Sequence, residues 1–596
     1  MPPTPQKPPK KPLTREEIAS ILEQIALLLE LQGENPFKIR AYRTGAETVR
    51  SHPEDLLRLA RERQLTEIKG LGKALQDKLH ELATTGGLAF YETLRGQFPE
   101  SLFELFELPG LGPKKIKVLY DSLEIDSLAA LQAACQAGKL APLKGFGKKT
   151  EEKILAALTY HSSNASRFLI DQAAAVASEL RAWLRAHPEV SQLEVAGSLR
   201  RSKETVHDLD FLVAAPEGNQ LTRDFAEADF AQEVLACGET KASIRHRSGL
   251  PCDLRVVRNE HFPFALQYFT GSKEHNVALR QRALQRGYSL NEYRLEPTQG
   301  APQPSGIETE EQLYRFLELD WIDPALRENQ GEIEAAEQGA LPSLVTWTQL
   351  RGTFHNHTTE SDGTATLADM AEAAIDLGLQ YLGIADHSKS SFQANGLDET
   401  RLLQQIESVR DLNQSYAEQG VDFRLFSGSE VDILKDGRLD FDDELLAQLD
   451  YVVASVHSAF SLPEEEMSAR LLRAIENPHV TMLGHLTGRL LLKREPYALD
   501  IPKILEACAR TGTVIELNAH ARRLDLDWRW WKRAKEKGIL CSINPDAHSP
   551  SGLQHLRHGA EVARKGWLTK ADVLNTRTRP QIERFLQTGK PRASKS

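Results

Sequence analysis

Apolar and polar positions change rhythm three times along the chain. In the first quarter, three segments repeat one pattern, an apolar residue between two glycines with lysines close behind and apolar positions at helical spacing: KGLGKALQDKL at 69–79, PGLGPKKIKVL at 109–119 and KGFGKKTEEKIL at 144–155. Each predicts a tight turn opening into a helix. Further on, runs of strand formers appear, DLDFLV at 208–213 and PCDLRVV at 251–257, and these predict paired strands. Beyond residue 350, apolar runs each end in His, Asp or Glu and are separated by helical stretches such as LADMAEAAIDLGL and LLAQLDYVVASV. That alternation predicts a parallel βα barrel, whose strand C-termini converge on one rim.

A chain of 596 residues exceeds the roughly 250–300 residues that one core supports, so three or four domains are expected. No apolar run approaches the ~20 residues needed to span a bilayer. The N-terminal MPPTPQKPPKKPLT lacks the apolar core of a secretion signal and reads as a disordered basic arm, which points to a cytosolic protein. The five cysteines, Cys135, Cys237, Cys252, Cys508 and Cys541, form no C-x-x-C pair, which argues against a disulfide framework or a thiolate zinc site. Any metal must be held by histidines and carboxylates. The net charge of -11 does not exclude nucleic acid, because it averages over domains and counts metal-binding carboxylates as bare. Positive charge is clustered locally, as at Lys114, Lys115 and Lys117.

Three sets of residues carry candidate chemistry. The glycine pairs Gly70 and Gly72, Gly110 and Gly112, and Gly145 and Gly147 permit close backbone approach, so free N–H groups at the following helix N-terminus can hold a phosphate oxygen. Such contacts position a nucleic acid without reading its sequence. Asp208 and Asp210, two apart on a strand, face one way, and Asp253 in the second strand-forming run supplies a third carboxylate. Three acids of this kind can hold two hard cations, Mg²⁺ or Mn²⁺, of the sort that promote nucleotidyl transfer. In the last third, His355 and His357 alternate on a strand and Asp362 follows on a loop. His387, Glu430, His457, His485, Asp546 and His548 each lie at the end of an apolar run. Nine such groups on one rim would leave large unpaired polarity unless cations sat among them, and a set without thiolates suits Mn²⁺, Zn²⁺ or Fe²⁺.

These motifs resemble known families. The Gly-x-Gly segments look like helix-hairpin-helix motifs, and Ile18 to Leu94, with FKIRAYRTGAETV, resembles the lyase domain of DNA polymerase beta and its relatives. By that resemblance Lys78 is the candidate Schiff-base nucleophile. The segments GSLRRSKETVHDLDFLV at 197–213 and YFTGSKEHNVALR at 268–280 closely resemble the nucleotidyltransferase core of family X DNA polymerases. The resemblance implies that Asp208, Asp210 and Asp253 bind metal and that Ser198 and Arg201 hold a triphosphate. It makes Tyr268 and Phe269 the wall beside the sugar, with Gly271 leaving space. It also assigns Asn276 to the base edge and Arg280 to the template, while Lys273 takes the form of bacterial members. His207 stands where this family usually has glycine, and Ser202 where a small residue is common. A crowded metal loop at His207 would leave a weak or inactive polymerase site and the barrel as the main enzyme. The barrel is similar to the PHP (polymerase and histidinol phosphatase) family, a distorted (β/α)₇ fold with a trinuclear centre, and all nine ligand positions are filled. Arg489 and Arg522 are candidates for substrate phosphate.

The expected architecture is multidomain: a basic arm at 1–14, an all-α helix-hairpin-helix lyase-like domain at 15–95 and a second one at 96–160. An α+β nucleotidyltransferase palm with its thumb subdomain follows at 161–325, then a linker at 326–350, the PHP barrel at 351–585 and a tail at 586–596. The expected function is gap-filling DNA repair synthesis, with metal-dependent 3′-5′ exonuclease or 3′-phosphoesterase activity in the barrel. Gapped or primed DNA and deoxynucleoside triphosphates are the expected partners, with no membrane and a monomeric protein.

Overall fold

The computed structural model describes residues 13, 15–51, 56–65, 68, 71–108, 111–216, 220–298 and 300–588. The chain forms two compact units, Met1–Ala165 and Ser166–Ser596. Gly70, Gly110 and nearly all of the basic arm lie outside the described residues.

Among its described residues the first unit is all helical. Three of its helices, Lys73–Thr85, Pro113–Leu123 and Lys148–Asn164, begin directly after Gly72, Gly112 and Gly147, and none of these glycines offers a side-chain cap. In each, the N–H of the third helical residue closes back on the glycine carbonyl, Leu75 on Gly72, Lys115 on Gly112 and Thr150 on Gly147, and Pro113 carries no N–H. Each helix turns an apolar stripe inward, such as Leu75, Leu79 and Leu82 or Ile116 and Leu119, into one shared core. Truncating Leu79 to alanine in that core would cost about 2–5 kcal/mol.

The second unit opens with the short strand β1 (Phe168–Leu169), which pairs with β3 (Thr205–Val206). A five-stranded sheet follows, built from β2 (Gln192–Val195), β4 (Leu209–Ala214), β5 (Ala231–Cys237), β6 (Lys241–His246) and β7 (Pro251–Val257). Its order is β2-β4-β7-β6-β5, and only β4 and β7 run parallel. The interior strand β4 is covered on both faces: Leu209, Phe211 and Val213 enter one apolar cluster, Leu212 and Ala214 another. The period of two puts Asp210 on the Leu212 face at the strand's open end. The hairpin β8 (Tyr288–Leu290) and β9 (Leu295–Pro297) belongs to a helical cluster that includes Leu313, Tyr314 and Leu317. The connecting stretch 326–350 is itself folded: Arg327 and Glu332 are fully buried, and Leu326 and Ala336 join that same cluster.

Seven parallel strands then follow in sequence order, β10 (Gly352–Thr353), β11 (Tyr381–Ile384), β12 (Arg424–Asp432), β13 (Tyr451–Ser455), β14 (Met482–Leu483), β15 (Val514–Asn518) and β16 (Cys541–Asn544). An Asn356–Ala547 bridge joins the ends of the first and last strands, so the sheet nearly closes into a barrel. The interior is filled by Phe354, Tyr381, Phe426, Tyr451 and Met482. Glycine is required at 383 and 428, because a Cβ at either would overlap the Tyr451 ring. Helices cover the outside through the largest core of the molecule. Among the described residues no helix is long and apolar enough to cross a membrane.

Candidate metal centres and nucleotide site

All nine candidates converge on the C-terminal rim of the barrel. His355, His357, Glu430, His485 and Asp546 are buried. Three overlapping groups have ligand atoms within 4.8 Å of one another: His357, Asp362, His387 and His548; His355, His357 and Glu430; and His387, Glu430 and His457. His485 Nε2 lies 2.9 Å from Glu430 Oε1, and Asp546 Oδ1 lies 3.1 Å from His357 Nε2. Glu430 sits at the centre of the nine.

The donor set fits cations better than it fits itself. His355 Nε2, His387 Nδ1 and Glu430 Oε2 are buried, 2.9–3.3 Å apart across the carboxylate, yet make no hydrogen bond. Orphaned polar atoms of this kind are costly unless something binds them. The titration pattern shows the same conflict. Burial and the neighbouring His548 and His387 push His357 down to about 3. His457 is driven up to about 10 against its burial, chiefly by Glu430. Asp546 and His485 also hold positive φ values of 52° and 23°, backbone strain of the kind found at functional sites.

A second layer of carboxylates holds the rings. Glu516 accepts from His355 Nδ1 at 2.7 Å, leaving Nε2 for the cluster. Asp432 accepts from His457 Nδ1 at 3.1 Å. Asp386 accepts from Thr358 N at 2.8 Å and from Ser361, fixing the loop that carries Asp362. Such partners set the tautomer and orientation of a ligating histidine. The sequence reading missed all three, although Glu516 ends the apolar run VIE as the ligands end theirs.

Of the two arginine candidates for substrate phosphate, Arg489 is not available. It is buried against Glu204 and Asp527, because a guanidinium out of water needs anionic partners. Arg522 is exposed. The neighbouring Arg523 reaches the site instead, with Nε 3.3 Å from Asp546 Oδ2.

In the palm sheet, the parallel register sets Asp210 directly beside Asp253, and Asp208 precedes β4. Burial, then Asp208 and Asp253, push Asp210 up to about 7, so a compensating cation suits the site. Lys241 Nζ stands 2.6 Å from Asp253 Oδ2. Gly197, at φ 63°, is demanded by this arrangement, since a Cβ there would overlap the Asp210 carboxylate. Ser198 lies on the helical turn Gly197–Arg200 that Gly197 opens. His207 is exposed and is not among the residues with positive φ, so the constrained backbone that the sequence suggested there is not found. Ser202 does have positive φ, at 53°.

Arg201 is held by Glu328 through Nε at 3.1 Å and by the Thr270 carbonyl. Gly271, at φ 70°, makes room there, as a Cβ would sit 3.0 Å from Arg201 Nη1. Tyr268 and Phe269 meet edge to face at 5.0 Å, with Arg280 over Tyr268 and Arg255 over Phe269. Asn276 is tied at both ends of its amide, to Tyr268 O at 2.8 Å and to Gln267 Nε2 at 2.7 Å. Lys273 opens the helix Lys273–Gln285 and is exposed. In the first unit, Lys78 is partly buried with Nζ 4.9 Å from the Phe90 ring centroid.

A palm with three clustered acids, a barrel rim with nine metal-type ligands and glycine-started helices define a class, and sequence comparison agrees. The chain belongs to the family X DNA polymerases that carry a C-terminal PHP domain. Family models match residues 14–88 as a helix-hairpin-helix domain, 102–159 as a SAM-like helix-hairpin-helix tandem, 265–328 as a DNA polymerase beta thumb and 353–520 as a PHP domain. The DNA polymerase/3′-5′ exonuclease PolX of Bacillus subtilis is 38% identical over 575 residues, 96% of this chain and 99% of the relative. A probable phosphatase of Thermoanaerobacter sp. (strain X514) is 27% identical over 233 residues, 37% of this chain and 89% of its own length, and rat DNA polymerase lambda is 24% identical over 342 residues, 52% and 56% respectively.

Proposed function

We propose that this chain extends DNA primers at the palm and excises 3′-terminal nucleotides at the barrel, filling and cleaning gaps in damaged DNA. The observation that carries the reading is the presence, in one chain, of two separate clusters: Asp208, Asp210 and Asp253 on β4 and β7, and the nine groups around Glu430. In the palm, the three acids hold Mg²⁺ or Mn²⁺, while Ser198 and Arg201 grip the triphosphate, Arg201 through a planar fork suited to phosphate oxygens. Tyr268 and Phe269 wall the sugar, Gly271 leaves them space, Asn276 meets the base edge and Arg280 the template strand. The helix N-termini behind Gly72, Gly112 and Gly147 hold the DNA backbone, with Gly145 shaping the third turn.

In the barrel, His355, His357, Asp362, His387, Glu430, His457, His485, Asp546 and His548 hold Mn²⁺, Zn²⁺ or Fe²⁺. Bound cations supply charge neutralisation at a phosphoester and a nucleophile usable near neutral pH. The residues themselves orient the site: Glu516 and Asp432 fix two rings, and Arg523 presents a positive charge at the rim beside Asp546. Lys78 is the candidate amine for an abasic-site sugar.

The test is a 5′-labelled primer on a one-nucleotide gap, with Mg²⁺ or Mn²⁺. The wild-type protein should extend it with triphosphate and shorten it without. Failure to extend, with no change on Asp208→Ala, refutes the palm assignment. Failure to shorten, with no change on His355→Ala plus His357→Ala, refutes the barrel assignment.

A further inference from the structure

Four consecutive residues of the palm, Arg201 to Glu204, are each gripped by a side chain of the barrel. Lys565 Nζ donates to Arg201 O at 2.9 Å. Ser202 Oγ donates to Glu561 Oε2 at 3.0 Å. Lys203 Nζ lies 5.0 Å from the Trp528 ring centroid. Glu204 accepts from Arg489, which also donates to Asp527 Oδ2 at 2.8 Å. This loop directly follows the turn bearing Ser198, and its first member is Arg201 itself.

The grip extends to the Arg201 side chain. Lys565 Nζ donates at 2.6 Å to Glu328 Oε1, the same oxygen that accepts from Arg201 Nε at 3.1 Å. Lys203 Nζ is 3.3 Å from the other Glu328 oxygen. Lys565 and Arg489 are 1% and 6% exposed, so these charges are fixed out of water, where removing one partner is costly. Ser202 needs such a hold, because a non-glycine residue in the left-handed region is sparsely populated when free.

We propose that the barrel is a working part of the nucleotide site: Lys565, Glu561, Trp528 and Arg489 are positioning residues that hold the 201–204 loop, and thereby Ser198 and Arg201, in register for an incoming triphosphate. The proposal rests on the assignment of Ser198 and Arg201 to the triphosphate. It makes the PHP domain serve two reactions, its own at the rim and, through its flank, the palm's.

The test uses the full chain with Lys565→Met, Glu561→Ala and Arg201→Ala, measuring KM and kcat for triphosphate on the gapped primer and the 3′ excision rate. Lys565→Met should raise the triphosphate KM by on the order of tenfold, with kcat and excision within about twofold, the signature of lost ground-state binding. Glu561→Ala removes a side chain that is 47% exposed, so it leaves the fold in place should Lys565→Met unfold it. A rise in KM of about threefold is expected for it, as one hydrogen bond is lost. An unchanged KM in these variants, while Arg201→Ala raises it, overturns the positioning role and leaves the triphosphate assignment standing. An unchanged KM in Arg201→Ala as well overturns both. A fall in kcat and excision together with thermal stability, at constant KM, assigns the contacts to folding alone and also overturns the proposal.

Discussion

Glu516→Gln is the sharpest perturbation of the barrel that leaves its nine candidate ligands in place. The Glu516 carboxylate is fully buried and accepts from four donors: His355 Nδ1 at 2.7 Å and Asn544 Nδ2 at 3.0 Å on Oε1, and His485 N at 2.6 Å and Asn518 Nδ2 at 3.2 Å on Oε2. A glutamine has the same shape but one acceptor oxygen. Whichever way it is turned, its NH₂ faces two donors. If the oxygen stays on His355, the His485 backbone loses its partner; if it turns away, His355 loses the contact that fixes its tautomer. Each case removes a charge-assisted bond worth about 1.5–3 kcal/mol, and a lost orienting partner typically weakens a metal site tenfold to a hundredfold. Metal content per chain, measured by mass spectrometry after dialysis, should fall, and the 3′ excision rate at limiting Mn²⁺ should drop by about that factor. Gap filling should change less than about twofold. Full metal retention with a wild-type excision rate would refute the reasoning, since His355 would then need no carboxylate behind it.

Other outcomes follow from the same geometry. Gly197→Ala sets a Cβ against the Asp210 carboxylate at φ 63°; gap filling should fall by about a hundredfold or more while excision persists, measured on the same labelled primer. Chelation should lower the thermal midpoint by several degrees, because a ligand at about 100 times its Kd contributes about 2.7 kcal/mol, and His355→Ala plus His357→Ala should abolish that response. For pH, Asp210 is raised to about 7 in the fold, above its unfolded value of about 4. The folded metal-free protein therefore keeps a proton that the unfolded chain releases, and stability falls as pH rises from about 4 to about 7, by up to about 1.4 kcal/mol per unit. Denaturant titrations of chelated protein should show that slope, and Asp210→Asn should reduce it.

Both side-chain clusters were legible because strand geometry writes them into the sequence. A polar residue at the end of an apolar run in a βα barrel lands on the catalytic rim, so His387, Glu430, His457 and His485 could be picked out one by one. The i, i+2 spacing of Asp208 and Asp210 likewise fixed a shared face, while their pairing with Asp253 needed the parallel β4–β7 register. What stayed hidden depends on contacts distant in sequence. Arg489 could be a phosphate ligand or a solvated surface charge until Glu204, 285 residues away, is found beside it. Glu328 and Lys565 are 237 residues apart, and nothing local in the sequence pairs them. His207 misled in the opposite direction: a family habit suggested a constrained backbone, whereas the chain turns at Gly197 and Ser202 and leaves His207 exposed.

The central claim is that one chain carries two independent metal-dependent reactions. It is tested most directly by following extension and 3′ excision on a single labelled gapped primer with Asp208→Ala and Asp546→Asn. The structure predicts a crossed result: Asp208→Ala loses extension and keeps excision, while Asp546→Asn keeps extension and loses excision. If either substitution removed both reactions, or neither, the two centres would not be separate catalysts.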